Sequence, residues 1–126
     1  MGNLFSKKPY KFKFKKQNSF EERRKLFLQF KESNPTKIPI IIEPKFEEIN
    51  ATKDIYRKSC EPNMTIGQII YILRQSEKID SQMGLFLVVQ DKVCVTSEIT
   101  LEDVYNKYKD EDGFCYFTFQ HSIRYG

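Results

Sequence analysis

The sequence predicts an α+β fold in which a four-stranded mixed sheet holds one main helix and a further helical segment precedes the first strand. Two observations support this prediction. Continuous apolar runs at residues 38–42 and 114–119 are typical of strands that are covered on both faces. Two capping boxes, at residues 19–22 and 65–68, mark the starts of helices.

The first helix is predicted to begin after Ser19. The Ser19 hydroxyl is placed to accept a hydrogen bond from the backbone of Glu22, whose side chain can return the bond to the backbone of Ser19. The pair Asn34-Pro35 ends this helix. Between these signals, apolar residues recur at near-helical spacing, namely Phe20, Leu26, Phe27 and Phe30.

The first two strands differ in character. Residues 38–42 are apolar and mostly β-branched, and Pro39 removes one hydrogen-bond donor near the start of this strand. Residues 43–53 are polar and irregular. Residues 54–60 form a weaker strand with little apolar content, so we expect this strand at an edge of the sheet.

The second half of the chain alternates helices with strands. Residues 66–73 carry isoleucine and leucine at helical spacing, and residues 85–89 form an apolar strand. Thr100 caps a short third helix. An Asp112-Gly113 turn then leads into the aromatic strand at 114–119.

The two most apolar strands, 38–42 and 114–119, are predicted to lie side by side at the centre of the sheet. The strands at 54–60 and 85–89 then lie outside them. This is the β-grasp arrangement of ubiquitin. The helical segment before the first strand is an addition to it.

Charge divides the chain into two parts. The first 16 of the 126 residues carry six lysines and no acid, whereas the remainder has 15 basic and 17 acidic residues. We therefore expect a basic arm at 1–18, helical or disordered, and a ubiquitin-like domain at 19–126. Within the arm, residues 11–15 also alternate like a strand. Because the domain itself is not basic and carries no nucleic-acid-binding motif, we do not expect it to bind nucleic acid.

The reactive residue types do not predict an enzyme, a cofactor or a metal site. Cys60, Cys94 and Cys115 lack zinc-site spacing and are too few and odd in number for a disulfide framework, which favours a reducing cytosol. Cys115 lies in the aromatic strand and is interpreted as a buried structural thiol, not as the partner of His121. The acidic residues 110–112 are interpreted as a solvated turn.

Both ends of the chain carry candidate attachment signals. Gly126 follows a short polar tail, and its unhindered carboxylate suits covalent transfer through a narrow enzyme channel. Gly2 and Ser6, followed at once by lysines, match the N-myristoylation pattern. A myristoyl chain and a polybasic run would together supply two-signal membrane anchoring. The alternative is an unmodified arm.

Four segments occur in a characteristic order: SFEERR at 19–24, IPIIIE at 38–43, MTIGQIIYILR at 64–74 and YKDEDGFCYF at 108–117. Together with the Tyr-Gly ending they resemble the autophagy ubiquitin-like modifiers, the family of GABARAP and the microtubule-associated protein light chain. The resemblance extends from Phe20 to Gly126.

The resemblance implies a modifier that is not an enzyme. Its terminal glycine, here Gly126, would be activated by an ATP-using enzyme, passed to a carrier cysteine and joined to phosphatidylethanolamine. A cysteine protease would process and deconjugate it. The protein would then be cytoplasmic and lipid-anchored on autophagic or related vesicles. The alternative is a peptide-binding adaptor of the same fold that is not conjugated.

The resemblance also implies an edge that binds extended peptides with an aromatic and an aliphatic anchor. At positions 58–61 the sequence KSCE replaces the apolar YLVP of the family, so both pockets lose apolar surface. The peptide-binding residues include Lys37. The aromatic pocket is expected at Leu26, Phe30, Pro39, Ile41, Arg57, Ser59 and Phe114, and the aliphatic pocket at Lys58, Cys60, Glu61, Met64, Ile69 and Ile72.

Overall fold

The protein folds into a mixed five-stranded sheet with helices on both faces. The computed structural model describes residues 10–45, 53–77 and 84–122. The helices are α1 (Lys13–Gln17), α2 (Phe20–Ser33), α3 (Ile66–Glu77) and α4 (Leu101–Tyr108). The strands are β1 (Ile38–Pro44), β2 (Tyr56–Cys60), β3 (Gly84–Val89), β4 (Val93–Cys94) and β5 (Cys115–Ser122).

The sheet has the strand order β2-β1-β5-β3-β4. The predicted fold class and the predicted order of four strands are therefore confirmed. The predicted strand count was wrong by one, because β4 has only two residues and such a short pairing leaves no apolar pattern. β1 and β5 run parallel, with Ile40 opposite Cys115 and Ile42 opposite Phe117. On the outer sides of this pair, β2 lies antiparallel to β1 and β3 lies antiparallel to β5.

The main core lies between the sheet and the helices α3 and α4. Ile40 and Ile42 of β1 and Phe117 of β5 are fully buried there. The capping box at the start of α3 is confirmed, since the backbone of Thr65 donates to Gln68 Oε1 (2.9 Å) and the backbone of Gln68 donates to Thr65 Oγ1 (3.2 Å). Of the described helices, none has both the length and the apolar character that a membrane span needs.

A second, aromatic cluster covers the opposite face of the sheet. Ile41 of β1 packs there with Phe114 and Tyr116 under two arm residues, Phe12 and Phe14. Phe12 and Phe14 are only 8% and 3% exposed to solvent. The arm was expected to be helical or disordered, and its residues Lys13–Gln17 form a helix. The division of the chain after residue 18 stays a prediction.

Glu43 of β1 holds the arm in place. Its carboxylate is fully buried and accepts hydrogen bonds from the backbone of Lys13 (2.8 Å) and of Phe14 (3.0 Å) and from the Tyr10 hydroxyl (2.6 Å). Helix α1 has no cap from its own N-cap side chain. The central strand thus supplies the negative group that the first turn of a helix favours.

A buried ion pair holds α2. Arg23 Nε donates to Asp112 Oδ2 at 2.7 Å, and Asp112 also accepts from the Tyr116 hydroxyl and from the backbone of Phe114. Asp112 is fully buried, so the interpretation of residues 110–112 as a solvated turn was wrong for this residue. The sequence pattern missed this because the charged partner of Asp112 is Arg23 of α2, 89 positions away in sequence.

Asp110 is also tied to the arm. Lys15 Nζ lies 2.7 Å from Asp110 Oδ1 and 4.6 Å from the centroid of the Tyr116 ring. Burial works to raise the pKa of Asp110, but the hydrogen bond from Lys15 and the one from the backbone of Asp112 outweigh it, and the net pKa is lowered. Asp110 is therefore an ionised partner of the arm and not a freely solvated acid.

Gly113 allows the α2 helix to approach the turn before β5. Its φ of +102° lies in the region that favours glycine, and a Cβ there would lie 2.4 Å from Cγ of Phe27. A side chain at this position would therefore both strain the backbone and displace the Phe27 ring.

We expect Asp112→Asn to lower the free energy of unfolding by about 3 kcal/mol, because it leaves the largely buried Arg23 charge without its partner. Asp54→Asn is the matched control. Asp54 pairs with Lys13 at 3.4 Å with side-chain exposures of 77% and 45%, and its loss should cost less than about 1 kcal/mol. Urea unfolding followed by circular dichroism measures both, and equal small losses would contradict the structural role of the buried pair.

Candidate functional site

Strand β2 forms one edge of the sheet. It has β1 on one side and no described strand on the other, so the predicted edge position is confirmed. Along β2, Tyr56 and Cys60 are buried whereas Arg57 and Ser59 are exposed. Because side chains alternate along a strand, one side of this edge lies towards α2 and the other towards α3. An edge strand of this kind can accept an added strand.

A cavity of about 390 Å³ lies between β2 and α3. The six residues that the resemblance assigns to an aliphatic pocket meet there, with Lys37 at the rim. Met64, Ile69 and Ile72 give the cavity its apolar wall. The full lining consists of Lys37, Lys58, Ser59, Cys60, Glu61, Met64, Ile69 and Ile72.

A second cavity, of about 310 Å³, lies between β2 and the end of α2. Five of the residues assigned to an aromatic pocket meet there. Sequence reasoning missed two lining residues, Asn34 and Ile40, because neither has a side chain that by itself indicates a ligand. The lining consists of Phe30, Asn34, Pro39, Ile40, Arg57, Lys58, Ser59 and Phe114.

Leu26 and Ile41 are not among the described residues that line this second cavity, so their assignment to it is corrected. Both belong to the aromatic cluster on the second face of the sheet, where Ile41 is fully buried and Leu26 is partly buried. The reason is the arm. Phe14 contacts the ring of Phe114 at a centroid distance of 5.3 Å, and α1 covers the surface that Ile41 would otherwise present.

The edge is positively charged. Lys58 lines both cavities and so forms the ridge between them, with Arg57 beside the second cavity and Lys37 beside the first. Glu61 lies 3.7 Å from Lys37, with side-chain exposures of 60% and 40%, so this pair is weak. The excess of cations favours a partner segment that carries acidic residues.

The three cysteines are free thiols. Cys60 is 6% exposed, and burial raises its pKa to about 11 although Lys58 and Lys37 act to lower it. Cys115 is fully buried in the main core, as predicted, and burial raises its pKa to about 12. Cys94 is exposed. The thiol of Cys60 therefore contributes a small, mostly uncharged surface to the first cavity.

The two candidate attachment residues, Gly2 and Gly126, lie outside the described residues, as does the side chain of His121. The described chain ends with β5 at Ser122, which pairs with Gly84 of β3. The roles assigned to these residues stay predictions.

Comparison with known proteins matches most of this chain to one protein family. The profile of the family described as "Autophagy protein Atg8 ubiquitin like" matches residues 22–126. Autophagy-related protein 8e of Arabidopsis thaliana is 33% identical over 115 residues, which are 90% of this chain and 92% of that protein. Autophagy-related protein 8 of Neosartorya fischeri is 29% identical over 114 residues, 90% of this chain and 96% of that protein. The crystal structure of Trypanosoma brucei ATG8 superposes with a TM-score of 0.77 at 28% identity, and the match covers 93% of this chain and all of that one.

The raised pKa of Cys60 predicts a pH profile for its alkylation. Because the thiolate is the reactive form, the rate at Cys60 should rise about tenfold per pH unit from pH 7 to 10 without a plateau. Iodoacetamide labelling, quenched and located by mass spectrometry, measures this rate at each site. The exposed Cys94 should label faster throughout. A plateau for Cys60 near pH 8.5 would show that its thiol is not buried as described.

Proposed function

Because this chain belongs to the Atg8 family of autophagy ubiquitin-like proteins, we propose that it is a non-enzymatic modifier joined through Gly126 to phosphatidylethanolamine. Conjugated in this way, it marks autophagic or related membranes from the cytoplasmic side and recruits partners that carry short extended peptides. Its enzymes are an activating enzyme, a carrier enzyme and a processing and deconjugating cysteine protease.

The observation that carries the conjugation proposal is that the match to the family continues through Gly126. A glycine that is exposed at a chain terminus offers its carboxylate without a side chain in the way. Two acyl chains, at about 0.8 kcal/mol per buried CH₂, hold a protein domain on a bilayer far more firmly than one chain does. The product is therefore a membrane label that lasts until a protease removes it.

The peptide-binding part of the proposal is supported by the open β2 edge and the two cavities that flank it. A peptide strand added to β2 gains main-chain hydrogen bonds, and its alternate side chains enter the cavities. The cavity lined by Phe30 and Phe114 suits an aromatic anchor, and the cavity lined by Met64 and Ile72 suits an aliphatic one. Lys58, Arg57 and Lys37 favour peptides with acidic residues beside the anchors.

Gly126→Ala should abolish conjugation. The test incubates the full chain with the activating and carrier enzymes, ATP and phosphatidylethanolamine liposomes, and follows the mass shift of the protein. Gly2→Ala is the matched control, because it changes a glycine at the other end of the chain and should conjugate normally. A wild-type protein that gives no glycine-dependent product under these conditions would instead support the adaptor that binds peptides without being conjugated.

Charge reversal at the ridge should weaken peptide binding. For a synthetic peptide with acidic residues before a Trp-x-x-Leu core, Lys58→Glu should raise the Kd roughly tenfold at low salt, because attraction becomes repulsion, with a smaller effect at high salt. Lys92→Glu, a reversal at an exposed lysine outside both cavities, should leave the Kd unchanged. Equal effects of the two variants would argue against binding at β2.

A further inference from the structure

The part of the sheet that the arm covers adjoins the second cavity, the one between β2 and the end of α2. Ile41 of β1 lies opposite Arg57 of β2 on one side and Tyr116 of β5 on the other, so these three residues form a row across the sheet. Because side chains alternate along a strand, residues two positions away lie on the same face. Two such residues, Ser59 and Phe114, line the second cavity. The arm and the cavity therefore occupy neighbouring rows on one face of the sheet.

Phe14 of α1 lies at the boundary between these two rows. Its ring contacts the ring of Phe114 edge to face, at a centroid distance of 5.3 Å. The guanidinium group of Arg57 lies over the same Phe14 ring, 5.6 Å from its centroid. Phe114 and Arg57 both line the second cavity, and they come from opposite sides of β1. One arm side chain thus contacts two residues of the cavity wall from behind.

The position of Phe14 is fixed by contacts that do not involve the cavity. Its side chain is 3% exposed. Its backbone N–H donates to the buried carboxylate of Glu43 (3.0 Å), and its carbonyl accepts from Asn18 Nδ2 (3.1 Å). Arg57, in contrast, is an exposed residue with a long side chain that has many rotamers. A fixed ring beneath Arg57 restricts this freedom before any ligand is present, and such preorganisation lowers the cost of binding.

We propose that Phe14 is a positioning residue for the second cavity, and that the docked arm thereby raises the affinity for the aromatic anchor of a partner peptide. This inference rests on the proposed peptide-binding function. Phe14 itself does not contact the peptide. It holds the Phe114 ring and the Arg57 side chain in one arrangement, so the anchor does not have to order them when it enters.

A coupling of this kind acts in both directions. If the docked arm raises the affinity for the peptide by a given factor, the bound peptide stabilises the docked arm by the same factor. We expect a factor of about ten, because one ring pair and one contact between a cation and a ring support the cavity wall. The affinity of the peptide and the opening of the arm are therefore two separate measurements of one quantity.

The first experiment measures peptide binding to arm variants of the full chain. The probe is a synthetic peptide with acidic residues before a Trp-x-x-Leu core, and fluorescence anisotropy gives its Kd. Phe14→Ala should raise this Kd about tenfold. Phe12→Ala is the matched control and should have a much smaller effect. It removes an arm ring that is 8% exposed and that contacts the rings of Tyr10 and Tyr116, which are not among the described residues that line the second cavity. Circular dichroism checks that both variants are folded.

The second experiment follows amide hydrogen exchange in the unmutated chain. The backbone amides of Lys13 and Phe14 donate to Glu43, so they exchange when the arm opens. A saturating concentration of the same peptide should slow their exchange about tenfold, the factor by which Phe14→Ala weakens binding. The amide of Asp103, which donates to Thr100 at the start of α4, is the control and should exchange at an unchanged rate. A ring that only stabilised the arm would give no such response to the peptide.

Each result decides a different point. An unchanged Kd for Phe14→Ala, or equal weakening by the two variants, would overturn the positioning role of Phe14 while the proposed peptide function stands. Weaker binding by Phe14→Ala without slower exchange of the arm amides would overturn the coupling between the arm and the cavity. If the unmutated chain binds no peptide, both this inference and the peptide-binding part of the proposed function fail.

Discussion

The parallel pairing of β1 with β5 is the constraint on which the rest of the structure depends. A parallel pair needs long connections and, in proteins, cover on both faces. Helices α3 and α4 supply that cover on one face, and α1 and α2 supply it on the other. The cover by α1 and α2 is needed because of two residues of β1, Ile41 and Glu43. One is an apolar side chain and the other a carboxylate, and both are fully buried. The helical extension is therefore part of the core.

The same two covers generate the candidate site. Each helical layer extends past β1 and leaves a space beside the open strand β2, so the edge is flanked by one cavity from each layer. The pleat of β2 directs Arg57 and Cys60 to opposite sides. Lys58 lies between the cavities because it is at the middle of a strand whose ends are anchored by the buried residues Tyr56 and Cys60. The five residues of β2 thus organise both cavities of the proposed peptide site.

Short-range sequence signals predicted the helices and strands well. The features that they missed depend on contacts between residues that are far apart in sequence. Helix starts at Ser19 and Thr65 depend on residues three positions away, so their capping boxes were predictable. The helix at Lys13–Gln17 depends on Glu43, thirty positions away, and its alternating pattern also suited a strand. Asp112 and Ile41 were misassigned for the same reason, since Asp112 is covered by Arg23 of α2 and Ile41 by the arm residues Phe12 and Phe14. For the candidate site, the edge position followed from composition, and the lining residues came from the resemblance.

The direction of β5 relates the two parts of the proposed function. β5 begins at Cys115, opposite Ile40 and close to both anchor cavities, and ends at Ser122, opposite Gly84. Its eight residues span roughly 25 Å at the usual rise of a strand. A tether that follows β5 therefore starts at the end of the sheet away from the cavities. Because the two cavities lie beside β2 near the other end of the sheet, the conjugate that we propose can keep both of them turned away from the bilayer. In the proposed function, membrane attachment and peptide binding thus use different ends of the sheet.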